Sequence, residues 1–254
     1  MADCIEGKRP LVEALRTHVP FKVILMADNV KHDSLIADIE RKAKRMNVPV
    51  KLVPRKKLDE LSERGSHQGV MGQTVPFTYH SGGDIIKAAN AYAEEHDGRA
   101  LIVMLDHITD AGNLGAIVRS ADAVGASGVI IPSKRAAGVT AATYKSSAGA
   151  VVHMPVAQVP NLVQIIERAK KEGFWVAGAS EQKDGCIWDT NLKGKILLVM
   201  GNEGEGLSRL IQENCDFFVA LPMEGKVGSL NVAQASTACM YEWLRQNHSA
   251  LKGQ

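Results

Sequence analysis

The chain has no apolar run approaching the length of a membrane crossing, so a transmembrane helix and a membrane partner are not expected. Its opening residues, MADCIEGKRP, carry charge where a secretory signal needs an apolar core, which points to a cytoplasmic protein. Cysteine is sparse. Cys4, Cys186, Cys215 and Cys239 lie far apart with no C-x-x-C spacing, excluding a disulfide framework and a thiolate zinc site. The histidines show no H-E-x-x-H, so a metal-independent protein is expected. Neither a Walker loop nor G-x-G-x-x-G is present, which argues against nucleotide polyphosphate as the ligand. The formal net charge of +2 over 254 residues is too small to argue nucleic-acid binding by itself.

A hydrophobic fraction of 45% and a charged fraction of 23% are ordinary for a globular chain long enough for one large or two small cores. The charge is unevenly spread. Residues 1–73 hold 14 Lys and Arg against 10 Asp and Glu, a net of +4, leaving the remainder at −2. The excess lies in Arg41-Lys42-Ala43-Lys44-Arg45 and Arg55-Lys56-Lys57. These runs read equally as solvated helix faces or as a surface that meets phosphates.

Hydrophobic periodicity divides the chain in two. Phe21–Met26 and Val50–Val53 read as strands, and Val70–Gln73 as a closing strand. Leu35, Ile36, Ile39, Ala43 and Met46 recur at helical spacing behind Asp33, a residue suited to cap a helix. Lys56–Leu61 reads as a short helix. This is a small α/β unit over residues 1–73. Pro76 and the Gly82-Gly83 pair then mark 74–83 as a linker. From Asp84 onward, residues 84–254 repeat strand and helix. The expected strands are Leu101–Leu105, Val129–Ile131, Phe174–Ala179, Ile196–Met200 and Phe217–Leu221. The expected helices are Leu114–Val124, Thr140–Ala148, Leu162–Lys171, Ser208–Glu213 and Asn231–Gln246. Continuous apolar strands alternating with amphipathic helices imply an α/β fold with a parallel sheet covered on both faces. Ligands of such sheets bind beyond the carboxyl ends of the strands. The loops after Leu105, Met200 and Leu221 are therefore the places to seek chemistry.

After Met200 comes Gly201-Asn202-Glu203-Gly204-Glu205-Gly206, whose glycines suit a sharp strand-to-helix turn or close approach of a ligand. Its glutamates would repel a polyphosphate, so a nucleoside without phosphate fits better, and S-adenosylmethionine (SAM) is one. After Leu221, Ser229, Leu230 and Asn231 sit together, with Asn231 also suited to cap the last helix. In Asn113-Leu114-Gly115-Ala116-Ile117-Val118-Arg119, Arg119 lies off the apolar stripe. The small Gly115 and Ala116 are expected to leave ligand space beside it. The plain alternative is a surface pair between Arg119 and Asp122.

Together and in this order, these strings resemble the three motifs of the SpoU family of RNA ribose methyltransferases, in the SPOUT superfamily. They are Asn113 to Arg119, Val199 to Gly206, and Leu221-Pro222-Met223 before Gly228-Ser229-Leu230-Asn231-Val232. The first unit also resembles that of RlmB-type ribosomal RNA methyltransferases, including Ser66-His67-Gln68-Gly69, though Glu6 stands where that group usually has an aromatic. The resemblance implies a ribosomal-protein-like N-terminal domain that holds substrate RNA. It implies a C-terminal parallel-sheet domain with a deep trefoil knot, and a homodimer. It implies methyl transfer from SAM to a ribose 2'-hydroxyl of structured RNA, with a guanosine of large-subunit (23S) ribosomal RNA as the nearest family substrate. By motif position, Gly201, Leu221 and Leu230 would bind SAM, with Asn202 and Met223 beside them. Asn113, Arg119, Glu203, Ser229 and Asn231 would form the active site. Transfer RNA or an antibiotic-resistance site on ribosomal RNA are alternative substrates. A non-catalytic RNA-binding protein of ribosome assembly is the rival from another class. For the dimer there is a residue-level hint as well. Val232, Ala235, Ala238, Cys239, Tyr241 and Trp243 give the last helix more apolar surface than one buried face needs.

Overall fold

The computed structural model describes residues 4–62, 65–181, 185–202 and 204–248. The first unit contains β1 (Cys4–Glu6), α1 (Lys8–Arg16), β2 (Phe21–Ala27), α2 (Ser34–Arg45), β3 (Val50–Val53), α3 (Arg55–Leu61) and β4 (Val70–Thr74). Its sheet runs β1-β4-β2-β3. The apolar stripe of α2 buries Ile36, Ile39 and Ala43, and the Asp33 side chain accepts from the Ile36 amide at 3.1 Å. Lys8 Nζ donates to the same carboxylate at 2.7 Å and so ties α1 to the start of α2. Glu6, at the position of the family's aromatic, accepts from Ser62 Oγ at 2.6 Å. In Ser66–Gly69, Gly69 donates to Nδ1 of the buried His67, leaving Nε2 to donate to Asp59. Neither α1 nor β1 is legible in the sequence; α1 is nine residues long and depends on Leu11, Ala14 and Leu15 finding the core.

The second unit contains α4 (Gly82–Glu95), β5 (Ala100–Leu105), α5 (Ala111–Ala123), β6 (Gly128–Pro132), α6 (Ala141–Ser146), β7 (Val156–Val159), α7 (Leu162–Lys171) and β8 (Trp175–Ala179). It continues with β9 (Lys195–Met200), α8 (Arg209–Asn214), β10 (Phe217–Val219) and α9 (Val232–Asn247). The sheet runs β10-β8-β9-β5-β6-β7, and every pairing between these strands is parallel. It is covered on both faces, as the uninterrupted apolar strands require. Along β5, Leu101, Val103 and Leu105 join one core with α5 and α9, while Ala100, Ile102 and Met104 join another with α4 and α7.

Several boundaries differ from the sequence reading. Gly82 and Gly83 form the first turn of α4 rather than a linker, with Ser81 as its cap. A Cβ at Gly82 would come within 2.7 Å of Ile165 Cδ1, so the glycine lets α4 lie against α7. Tyr79 and His80 are already fastened to the second unit: Val139 donates to the Tyr79 hydroxyl and His80 donates to the Val156 carbonyl. Helix α5 starts at Ala111, because Asp110 accepts from the Asn113 amide at 2.7 Å and caps it. Asn113 is therefore in the first helical turn. The expected strand to Leu221 stops at Val219, where Ala220 turns to pair with Cys186. Of the apolar residues on α9, Cys239, Met240 and Trp243 are buried in the chain's own core. The apolar surplus on that helix shrinks accordingly. Among the described residues, no helix is long and apolar enough to cross a membrane.

Gly115 does not open ligand space. A Cβ there would lie 2.5 Å from the Thr143 carbonyl and collide with Ser146 Oγ, so α6 already occupies that space. Gly115→Ala is expected to cost about 1–3 kcal/mol by overpacking the α5–α6 contact, read from urea unfolding; unchanged stability would refute the contact's role. A second expectation concerns acid. Lys8 and the Ile36 amide hold Asp33 below its usual pKa, and Ser81 does the same for Asp84. Depressed carboxylates stabilise the fold above their unfolded value and lose that contribution as pH falls through the folded one. The melting temperature should therefore hold from neutral pH to about 5 and fall below about 4. A decline already present between pH 7 and 6 would contradict this.

Candidate active site

The helix after β5 crosses to one face of the sheet and the helix after β9 to the other. This opens a crevice between the two strand ends, where ligands of parallel sheets bind. A buried carboxylate stands in the crevice. Asp106, directly after β5, is 1% exposed. Its Oδ2 accepts from the Ser208 amide at 2.7 Å, and its Oδ1 accepts from His107 Nδ1 at 2.5 Å. The Asp106 amide donates to the Met200 carbonyl at 2.8 Å. His107 has the left-handed φ of 62°, and its carbonyl accepts from Asn202 Nδ2 at 2.9 Å. The segment from Met200 to Ser208 is thus held at both ends by Asp106 and His107.

Between these anchors the loop closes on itself. Asn202 and Gly206 exchange backbone hydrogen bonds of 3.0 and 2.8 Å, and Asn202 Oδ1 accepts from the Gly204 amide. A Cβ on Gly201 would sit 2.5 Å from the Gly206 carbonyl oxygen, so only glycine permits this return. The close approach read from these glycines is made, at Gly201, by the loop's own backbone. Glu203 lies outside the described residues.

This loop forms one wall of a cavity of about 220 Å³ beyond the carboxyl ends of β8, β9 and β10. Of the expected cofactor residues, Gly201, Asn202, Leu221, Met223 and Leu230 all line it, and so does Ser229. Leu230 and Met223 are each 38% exposed at its mouth, apolar surface that a ligand would cover. From Leu221 to Leu230, no backbone amide has a hydrogen-bond acceptor among the described residues, leaving donors for a ligand. Glu181 and Glu205 line the cavity, and no Lys or Arg does among the described residues. Cys239 forms part of the wall, but burial pushes its thiol up to about 12, so it is a neutral apolar surface.

Two of the remaining expected residues, Asn113 and Asn231, meet beside the cavity. Asn231 caps α9 by accepting from the Ala233 amide at 3.0 Å, and its Nδ2 donates to Asn113 Oδ1 at 3.0 Å. The first and third motifs therefore touch directly. Directly after Arg119, Ser120 Oγ and Thr237 Oγ1 share a hydrogen bond of 2.7 Å that locks α5 against α9. Arg119 is exposed on α5. Among the described residues it makes no ion pair, so the surface pair with Asp122 is not formed. Asn113, Arg119 and Asn231 are not among the residues that line the cavity; Asn231 directly follows the lining residue Leu230.

Asp106 and His107 were not singled out in the sequence. The available signal was a lone carboxylate directly after the apolar run Leu101–Leu105, at the end of the strand where ligands gather. Asp106→Ala should lower stability by roughly 1.5–3 kcal/mol, the scale of a hydrogen bond to a charged group. It should also speed hydrogen exchange at the Asn202, Gly206 and Ser208 amides. Asp106→Asn retains an acceptor for Ser208 and should be intermediate. Wild-type exchange in the alanine variant would show that the loop holds itself.

Comparison with known proteins matches both units. Residues 4–80 match the family model for RNA 2'-O ribose methyltransferase substrate binding, and residues 100–241 match the SpoU rRNA methylase family. YacO of Bacillus subtilis, which bears the name of a TrmH family tRNA/rRNA methyltransferase, is 41% identical over 97% of this chain and 96% of its own. A Staphylococcus aureus relative of the same designation is 37% identical over 96% of each chain. The SpoU methyltransferase AviRb from Streptomyces viridochromogenes, solved in complex with AdoMet, superposes with a TM-score of 0.71 and 28% identity, covering 98% of this chain and 91% of its own. With family models over both units and such identity along nearly its whole length, the chain belongs to the SpoU family of RNA methyltransferases.

Proposed function

We propose that this enzyme transfers a methyl group from SAM to a ribose 2'-hydroxyl of structured RNA, with a guanosine of 23S ribosomal RNA as its substrate. The observation that carries the reading is the Asn231–Asn113 hydrogen bond, which brings the first and third motifs together beside the cavity. The cavity suits SAM. Its apolar mouth fits a nucleoside, its unpaired loop amides can meet polar atoms, and its carboxylates without cations favour a sulfonium over a polyphosphate. The AdoMet complex of AviRb supports the same choice.

SAM supplies the methyl group, already activated on a positively charged sulfur. The new bond forms between the ribose oxygen and the methyl carbon as the carbon–sulfur bond breaks, and the hydroxyl proton leaves. Gly201, Leu221 and Leu230 would hold SAM, with Met223 at the mouth. Asn202 contributes by shape, since both ends of its side-chain amide are engaged within the protein. An arginine is effectively never deprotonated, so Arg119 is not a free-standing base. Its planar fork fixes the phosphate next to the target ribose and stabilises the developing alkoxide. The proton passes to a phosphate oxygen or to water. Asn113 and Asn231 orient these groups, Ser229 stands with them in the active site, and Glu203 is assigned to holding loop amides or Asn113 rather than to acting as base.

Residues 1–73 would bind the RNA, the segment up to Ser81 connect, and the second unit, from α4 onward, catalyse. The enzyme is proposed to work as a cytoplasmic homodimer without a metal. The chain knot implied by the family resemblance belongs to this proposal too. Exposed Tyr241 on α9 remains available for the dimer contact, whereas Trp243 is not.

Mass-spectrometric mapping of ribose methylation in RNA from cells with and without the gene tests the reaction and its target. Loss of one ribosomal 2'-O-methyl mark is expected; loss of a mark in transfer RNA alone would move the substrate, and no loss at all would overturn the reading. In single turnovers with saturating SAM and RNA, Arg119→Ala should slow methylation about a hundredfold or more. SAM affinity should barely move. Arg119→Lys should be nearly as slow, because it loses the two-pronged grip on phosphate. Wild-type rates in Arg119→Ala would remove Arg119 from the mechanism.

A further inference from the structure

A groove of about 570 Å³, larger than the cavity beside the motifs, runs between the two units where α1 faces α6. From α1 it takes Arg9 and Glu13, from α6 it takes Ala142 and Lys145, and buried Ala14 lies in its floor. The charge balance is positive. Glu13 accepts from Arg16 through two hydrogen bonds of 3.0 and 2.8 Å. That guanidinium, with a further contribution from Lys145, holds its carboxyl below the usual range. One carboxylate is thus shared by two cations. Arg9, one turn before Glu13 on the α1 wall, makes no ion pair among the described residues. The groove carries a surplus of positive charge drawn from both units.

The groove also has an address. Helix α6 is its far wall, and that same helix packs on Gly115 of α5 through Thr143 and Ser146. Ser146 Oγ donates to the Ala111 carbonyl at 3.5 Å, two residues before Asn113. A strand lying in the groove is therefore separated from the start of α5 by the thickness of one helix, about 10 Å.

We propose that this groove seats the sugar–phosphate backbone of the substrate RNA, with Arg9 of the first unit and Lys145 of the second as its phosphate contacts. The inference rests on RNA being the substrate. An open channel with charged rims and an alanine floor matches a polyanionic chain. It has no aromatic anchor among its described lining residues, whereas protein-binding hot spots are built around buried aromatics. Since each unit supplies one contact, RNA held by the first unit is led across α6 toward α5.

The test uses the full-length protein and a fragment of 23S ribosomal RNA. Arg9→Gln, Lys145→Gln and the double variant all change exposed side chains, and thermal melts check that each folds. Affinity is measured against salt. Each lost contact should flatten the slope of log affinity on log salt by about 0.7–0.9, and the double variant by about twice that. In methylation assays the loss should fall on KM for RNA rather than on kcat. Arg9→Lys should restore the wild-type slope, because a phosphate contact of this kind needs only charge. Folded variants that keep the wild-type slope would overturn the proposal, even if they lost an acidic protein partner instead. Failure of the wild-type protein to bind RNA at all would instead sink the substrate reading on which the groove depends.

Discussion

The site hangs on one buried carboxylate. Asp106 emerges from the end of β5 into an apolar interior, where an uncompensated charge would be strongly unfavourable. It is compensated by the Ser208 amide and the His107 ring, which belong to segments leading away in different directions. Fixing the first sets the start of α8, and fixing the second sets the backbone that receives Asn202. The glycine loop between them needs little stabilising contact of its own. Low dielectric around the carboxylate strengthens each of these bonds and makes the arrangement hard to alter in parts.

From that anchor outward, small residues decide how closely elements approach. Gly201 allows the loop to fold back on itself, and Gly115 allows α6 to seat against α5. Gly82 lets α4 lie on α7. In each case the side chain that is absent is replaced by another part of the protein rather than by a ligand. The cofactor cavity forms elsewhere, where the exposed loop from Leu221 to Leu230 leaves its amides without protein acceptors among the described residues and its leucine and methionine side chains partly bare. A glycine-rich string and a ligand pocket are adjacent here, but the first shapes the wall and the second lies beyond it.

The two units are less separate than a linker between them would suggest. A single apolar cluster contains Leu11, Ile24 and Ile36 of the first and Val103, Leu114 and Trp243 of the second. Tyr79 and His80 are bonded to the second unit. Such continuity holds α1 beside α6 and gives the groove between them a definite shape.

Strands such as Leu101–Leu105 and helices such as Leu162–Lys171 were legible because their apolar pattern ran long enough to exceed local ambiguity. The parallel sheet followed from unbroken apolar runs, which only a sheet covered on both faces can bury. The motif residues were legible as a set, and five of the expected cofactor positions do line one cavity. Other features were not legible. The elements α1 and β7 were not read from the sequence: α1 buries only Leu11, Ala14 and Leu15, and β7 is an edge strand whose place is set by its pairing with β6. The neighbour that fills the space at Gly115, the burial of Trp243 in its own core, and the two bonds of Asp106 all join residues distant in sequence. Composition and spacing determine which segments seek burial and where polar groups are concentrated. Which of those groups meet is decided only when the sheet orders its strands, because hydrogen bonds and steric contacts act over a few ångströms in space, whatever the separation along the chain.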